Sequence, residues 1–332
     1  VNESLLRYLE ERYVLRESPS EEPYVSSHWS RCLELLKIET GAGGRVLSVS
    51  TKDAGLDTFT RKGFAASVFD ACSMLCHWLS LPGKIGILKL SARALTVCRA
   101  MKRPFTFDVF RQLYCLSEIL RNLSPEIKSR RLSALMIGDG YGILSAVLKS
   151  AMPQSTLVLV DLGKVLFLQA YLCQRAHPEM THRLFNEAGR LETADFVYCP
   201  AEKLESLTDF RFNLAVNIVS MHEMSFPVIS GYFDFLRRTM KRSNLFYCCN
   251  REFKELAGGE KTDFKDYPWS SDDRIIFDGA CPWHRYYFAR HLSENGPRPG
   301  GVRIPFVNYY HSRKSGKIRH RLAVLALDRK DG

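Results

Sequence analysis

Apolar positions follow two different patterns along the chain. Up to about residue 130 they recur at helical spacing, over Leu5 to Leu15, Trp29 to Ile38, Ala65 to Leu81 and Phe107 to Leu123, which predicts amphipathic helices. Gly41-Ala42-Gly43-Gly44 and Pro82-Gly83 punctuate them, and Arg45 to Ser50 is a weak β-like piece. From Ser133 short apolar runs alternate with amphipathic ones, the pattern of a parallel sheet covered by helices. Strands are predicted at Ala134 to Gly138, Thr156 to Asp161, Phe196 to Cys199, Asn213 to Asn217, Asn244 to Cys249, Pro305 to His311 and Ile318 to Leu327. The clearest helices between them are Ile143 to Ala151, Lys164 to Arg175 and Phe226 to Lys241. A short polar link, Ser312 to Lys317, joins the last two strands and predicts a hairpin, hence an antiparallel edge on a parallel sheet. The expected fold is α/β and Rossmann-like, with seven strands and the last antiparallel, behind a helical region over 1–130 that serves as a cap or an oligomer interface.

One interval breaks the alternation. Residues 251–302 are long for a connection and rich in Trp, Tyr, Asp, Gly and Pro, which reads either as a lid or acceptor-binding insertion or as a packed surface excursion.

Composition places the chain among folded globular proteins, with 45% apolar and 25% charged residues. The ten cysteines include no Cys-x-x-Cys pair, so reduced, buried thiols are expected in place of a disulfide framework or zinc knuckle. The best candidate for a membrane span, Gly63 to Leu81, contains Asp70 and His77, and no secretory leader pattern is seen. A cytoplasmic protein is expected. The net charge of +11 suits an anionic partner such as a phosphorylated carrier, the cytoplasmic membrane surface or nucleic acid, although a solvated basic face is the better reading of any single cluster.

Chemistry enters at Leu135-Met136-Ile137-Gly138-Asp139-Gly140-Tyr141-Gly142, a strand-to-helix turn followed by a helix and a strand that ends in Asp161. Glycines there let the backbone approach a ligand, and an acid about 20 residues later suits the two ribose hydroxyls of a nucleoside. A dinucleotide site wants a third glycine where Ile143 stands, and Asp139 repels a pyrophosphate. Near a cofactor bearing an amine and a sulfonium the same acid is favourable.

On these residues the chain resembles the class I S-adenosylmethionine (SAM) dependent methyltransferases. The resemblance implies SAM as cofactor and a SAM-binding domain over 131–332, with Gly138, Asp139, Gly140 and Gly142 around the amino-acid moiety and Asp161 on the ribose. It also implies Ala201 and Glu202 near adenine and Asn217 near the methionine portion; Glu202 reads equally as a helix N-terminal acid. A narrower resemblance rests on Ser220-Met221-His222-Glu223-Met224, with the Trp29 region, Gln169 to Leu172 and Asn250-Arg251. These are similar to the sugar O-methyltransferases of bacterial surface-polysaccharide loci. That resemblance implies a glycan or nucleotide-sugar acceptor.

A sugar hydroxyl has a high pKa, so methyl transfer to it benefits from a base and from alignment of oxygen, carbon and sulfur. His222 and Glu223 follow the fourth strand, at the rim where open parallel sheets hold ligands. His222 is the preferred base, with Glu223 orienting it or binding acceptor hydroxyls; a capping or core histidine is the alternative. His284 and His311 are competing bases, and Tyr267, Trp269, Trp283 and Tyr286 are candidates for stacking on a pyranose ring, or else core and lid packing. Asp272-Asp273 could supply oxygen ligands to a divalent cation, but adjacent loop acids are usually solvated, and no metal is expected. Base methylation of nucleic acid is disfavoured: Asn217-Ile218-Val219-Ser220 replaces the Asn/Asp-Pro-Pro-aromatic grip on a planar amine. A ribose or small-molecule acceptor, a non-catalytic SAM-binding scaffold of a polysaccharide assembly complex and, more weakly, an NAD-dependent oxidoreductase remain as rivals.

Overall fold

The computed structural model describes residues 2–15, 24–41, 45–50, 75, 78–79, 81–129, 131–186, 193–285, 303–304, 307–308 and 318–327. The expected helix over Ala65 to Leu81 lies largely outside them.

The helical periodicity of the N-terminal region becomes α1 (Glu3–Leu9), continued by a π-helical turn over Glu10–Val14, and α2 (Ser27–Leu35). Lys37–Gly41 (β1) and Arg45–Ser50 (β2) then pair antiparallel, so the weak β-like piece is a strand and Ile38, expected in a helix, lies in β1. Three more helices follow, α3 (Lys84–Ala100), α4 (Phe107–Asn122) and α5 (Pro125–Ser129). Local chemistry starts these helices where they start. The side chains of Asn2, Ser26 and Thr106 each accept a backbone N–H three residues on, from Leu5, Trp29 and Val109, and satisfy donors that a helix leaves unpaired.

The alternating half folds as β3 (Ser133–Ile137), α6 (Ile143–Ala151), β4 (Thr156–Asp161), α7 (Gly163–Ala176), β5 (His182–Leu184), β6 (Phe196–Pro200), β7 (Phe212–Ile218), α8 (Phe226–Thr239) and β8 (Met240–Arg251). A small hairpin of β9 (Phe253–Glu255) and β10 (Lys261–Asp263) precedes β11 (Arg274–Ala280). The chain continues through the pair β12 (Arg303–Ile304) and β13 (Val307–Asn308) to β14 (Ile318–Val324).

One eight-stranded sheet runs in the order β11-β14-β8-β7-β3-β4-β6-β5. All pairs from β5 to β8 are parallel, whereas β14 is antiparallel to both β8 and β11. This is the Rossmann-like sheet with an antiparallel last strand, with three corrections. It has eight strands because the short β5, which lacks an apolar run, adds an edge to β6. The strand that pairs with β14 on its outer side is β11, inside the interval read as an insertion. Val307–Asn308 pairs with Arg303–Ile304 in a separate ribbon, and the rest of Pro305 to His311 lies outside the described residues.

Residues of each central strand alternate between two cores, which explains why these strands read as near-continuous apolar runs. Ala134, Met136, Leu157 and Leu159 face a cluster built from α1, α3, α4, α6 and α7, so the N-terminal helices share a core with the sheet. Leu135, Ile137, Val158 and Val160 face a second cluster built from α8 and the segment Ala201–Leu207. Arg237 of α8 pins the path between β10 and β11 through paired bonds to Asp273 at 2.8 and 3.0 Å. The eight described cysteines are free and buried. Among the described residues no helix is long and apolar enough to cross a membrane.

Candidate active site

The sheet order reverses direction at β3, whose neighbours β4 and β7 leave in opposite senses, and such switch points open a crevice at the strand carboxyl ends. A cleft of about 530 Å³ lies there, lined by Gly138, Asp139, Gly140, Asp161, Ala201 and Ser220 among others. Gly138, Gly140 and Gly142 all have positive φ, at 67°, 58° and 73°, a region that side chains with a Cβ rarely adopt. A Cβ on Gly138 would stand 2.6 Å from the Ser220 Cβ, whereas one on Gly140 meets nothing within 4 Å. The turn is thus closed against β7 and open toward the cleft. Gly142 does not line the cleft; it ends the turn against α7, where a Cβ would meet the Cys173 sulfur at 2.8 Å.

Two of the acids lining this space follow β3 and end β4. Asp161 accepts the Leu162 N–H at 2.8 Å and the Gln169 amide at 2.5 Å. Burial still pushes its carboxyl up to about 7, against the pull of those bonds. Asp139 accepts both the N–H and the hydroxyl of Ser145, at 2.8 and 2.5 Å, and so caps the first turn of α6 as well as facing the cleft. Burial raises it to about 7 also.

At the end of β7 the backbone is strained. Val219 lines the cleft at φ 57°, a conformation that costs a β-branched residue about 1–3 kcal/mol. Its N–H is held by the Cys249 carbonyl at 2.7 Å. Behind it the buried Asn217 donates to the Ile137 carbonyl at 3.0 Å and accepts from the Met221 N–H and the Asn250 amide, at 3.1 and 2.8 Å. That leaves Asn250 Oδ1 as acceptor for the N–H groups of Ser220 and His222 and for His222 Nδ1, at 3.1, 3.2 and 3.0 Å. Asn217 and Asn250 therefore brace the strand ends from beneath.

This network fixes His222 as the Nδ1–H tautomer. The ring is 1% exposed, does not line the cleft, and its Nε2 has no hydrogen-bond partner among the described residues. Burial and the nearby Lys254 charge hold it neutral, well below the ordinary histidine range. Glu223 does reach the cleft. Its Oε1 is 2.7 Å from Lys254 Nζ, 3.5 Å from His28 Nε2 and 3.6 Å from His222 Nε2. His28 stands on α2, and burial lowers its pKa from the ordinary value. The side chain of Ser26, the N-cap of α2, bonds the Glu223 carbonyl, so the N-terminal region is docked on this site, with Tyr24 and Trp29 in the cleft wall.

The other predicted site residues separate. Ala201 lines the cleft, but Glu202 does not, and it accepts the Tyr13 hydroxyl at 2.6 Å. Tyr267 and Trp269 pack with Phe233 and Phe264 in the second core, and Trp269 also lies under Arg321, 4.7 Å from its ring centre. Trp283 is buried edge-on against Phe110, 5.1 Å between centroids. These three rings line the core and not the cleft, so the expected stacking platform is not formed by them; aromatic residues in an insertion pack as readily as they bind. Trp283-His284 belongs to a turn over Pro282–Arg285, and the His284 side chain, Tyr286 and His311 lie outside the described residues. Asp273 is taken up by Arg237, Ser270 and Ala326, and among the described residues no group of three or more acids, cysteines or histidines is placed to hold a metal.

No family model and no curated protein matches the chain. Among solved structures it overlaps a SAM-dependent methyltransferase from Leishmania major, at 11% identity over 93% of this chain and 99% of the other, with a TM-score of 0.37. A coclaurine N-methyltransferase bound to N-methylheliamine and SAH gives 10% identity over 63% and 70%, TM-score 0.37. A cyclopropane synthase from Mycobacterium tuberculosis gives 14% over 37% and 38%, TM-score 0.28, so the chain spans well under half of that protein. Overlaps this low carry no weight for the chemistry of the chain.

Proposed function

We propose that the chain is a SAM-dependent O-methyltransferase acting on a sugar hydroxyl, in a surface polysaccharide, a lipid-linked glycan or a nucleotide sugar. The observation that carries the cofactor half is the open glycine turn at Gly138 to Gly140 facing one cleft with the buried acid Asp161. A carboxyl raised to about 7 by burial gains most from donors such as ribose hydroxyls, which restore its ionised form. A pyrophosphate is disfavoured at the start of α6, because the Asp139 carboxylate stands there and already accepts the Ser145 N–H.

Bound SAM supplies an electrophilic methyl group on its sulfonium. The chain's part is to hold the acceptor hydroxyl in line with it and to take the proton. Glu223 supplies a cleft-facing carboxylate after β7, and we assign the proton to it. His28, neutral and one-third exposed at 3.5 Å, passes that proton on toward solvent. His222 acts from beneath: its neutral ring fills the site behind Glu223 and its Asn250 bond fixes the loop. Lys254 holds the carboxylate in place at 2.7 Å. The sugar acceptor is supported by the Ser220 to Met224 resemblance, and Tyr24, Trp29 and Tyr232 offer aromatic surface in the cleft.

Transfer of labelled methyl from SAM into a panel of nucleotide sugars, polysaccharides, nucleic acids and small amines tests both halves. Label in a saccharide is the expected outcome. Label in RNA or an amine alone would replace the acceptor, and tight SAM binding without transfer to any of them would favour a scaffold.

A further inference from the structure

Helix α4 enters the cleft with its first two turns, where Asp108, Val109, Arg111 and Gln112 join the lining. The Asp108 carboxylate accepts from Arg111 Nη2 at 2.7 Å and from Gln112 Nε2 at 3.3 Å, which ties the three side chains into one cluster. Two of its atoms are buried without a hydrogen-bond partner among the described residues: the donor Arg111 Nε and the acceptor Gln112 Oε1. Buried polar atoms in folded proteins are nearly always paired, so two orphans on neighbouring residues of a cleft wall mark a place where a ligand completes the set.

The cluster shares the cleft lining with the glycine turn and with the segment after β7, and the positive charge of Arg111 reaches His222. The negative charge of Asp108 reaches Asp139 in the turn. Arg103, just ahead of α4, lies 5.8 Å from the ring centre of Tyr141 in the same turn. Guanidinium groups beside two carboxylates are the complement of a zwitterion, because the guanidinium fork matches a carboxylate and the acids match an ammonium.

We infer that α4 binds the amino-acid head group of the cofactor, with Arg111 on its carboxylate and Asp108 on its ammonium. The inference rests on the SAM reading above and extends it. It makes the N-terminal helices part of the cofactor site as well as of the core they share with the sheet.

The test compares S-adenosylhomocysteine (SAH) with 5′-methylthioadenosine, which keeps the adenosine and thioether and lacks the head group, by calorimetric titration of the full chain. The unmodified protein binds SAH more tightly. Arg111→Met weakens SAH at least about tenfold, the worth of one charge-assisted hydrogen bond, and leaves methylthioadenosine unchanged. Asp108→Asn, which preserves shape, gives the same pattern and keeps the test alive should Arg111→Met unfold. Undiminished SAH affinity in the folded variants, or equal losses for the two ligands in Asp108→Asn, overturns the assignment. Equal affinity of the unmodified chain for both ligands overturns it too but leaves the cofactor site standing, whereas binding of neither removes the cofactor reading with it.

Discussion

Gly138, Gly140 and Gly142 share a positive φ and differ in what a side chain would meet, so alanine at each position separates backbone strain from crowding. The left-handed conformation costs an L-residue about 1–2 kcal/mol. Gly140→Ala pays that alone, because open space surrounds the added methyl. Gly138→Ala adds a contact of 2.6 Å with the Ser220 Cβ, which no hydroxyl rotation relieves. Overpacking of that kind costs about 1–3 kcal/mol, for a total of roughly 2–5 kcal/mol. Gly142→Ala falls between, since its 2.8 Å contact is with the Cys173 sulfur and a thiol can turn aside. Urea unfolding followed by tryptophan fluorescence, with Trp269 and Trp283 in or against the core, measures all three. Adding Ser220→Gly to Gly138→Ala recovers the crowding and leaves the strain of about 1–2 kcal/mol. Equal midpoints for Gly138→Ala and Gly140→Ala would refute the packing of the turn against the end of β7.

Three further outcomes follow from the same geometry. Asp139 and Asp161 are raised from the ordinary carboxylate value of 3.8 to about 7, so the ligand-free fold holds more protons than the unfolded chain between those limits. Their contribution to stability is full below the ordinary value and is lost as pH rises through about 7, and an Asp139→Asn, Asp161→Asn double variant flattens that slope in unfolding curves from pH 5 to 8. Asp273→Ala takes a buried carboxylate away from Arg237, whose side chain is 13% exposed and keeps its bonds to the Pro268 and Ala326 carbonyls, and costs about 3 kcal/mol in urea; a chelator leaves the unfolding midpoint of the unmodified protein unchanged. Glu223→Gln keeps SAH affinity within about twofold and removes at least 99% of methyl transfer, about 3 kcal/mol of barrier; retention of the full rate would move the proton acceptor to another group.

The sheet was legible because apolar runs such as Leu157 to Val160 face a core on both sides and have little freedom to be anything but buried strand. β5 was not, since His182, Arg183 and Leu184 carry no such run and their place is set by pairing with β6. The glycine turn and Asp161 could be read because their spacing is local. The separate placement of His222 and Glu223 could not, because these adjacent residues divide between core and cleft through bonds to Asn250 and Lys254, about 30 residues away. Asp108, Arg111 and Gln112 escaped for a related reason. Thr106 and Asp108 signal a helix start, yet nothing in that signal says which cleft the start will face.

Calorimetric titration of the full chain with SAM, with NAD as control, decides which cofactor this cleft holds. The expected result is one SAM per chain, no detectable NAD, and loss of SAM affinity in Asp161→Ala. Binding of NAD without SAM, or undiminished SAM affinity in the folded Asp161→Ala variant, would contradict the assignment of the cleft at Gly138 to Gly140.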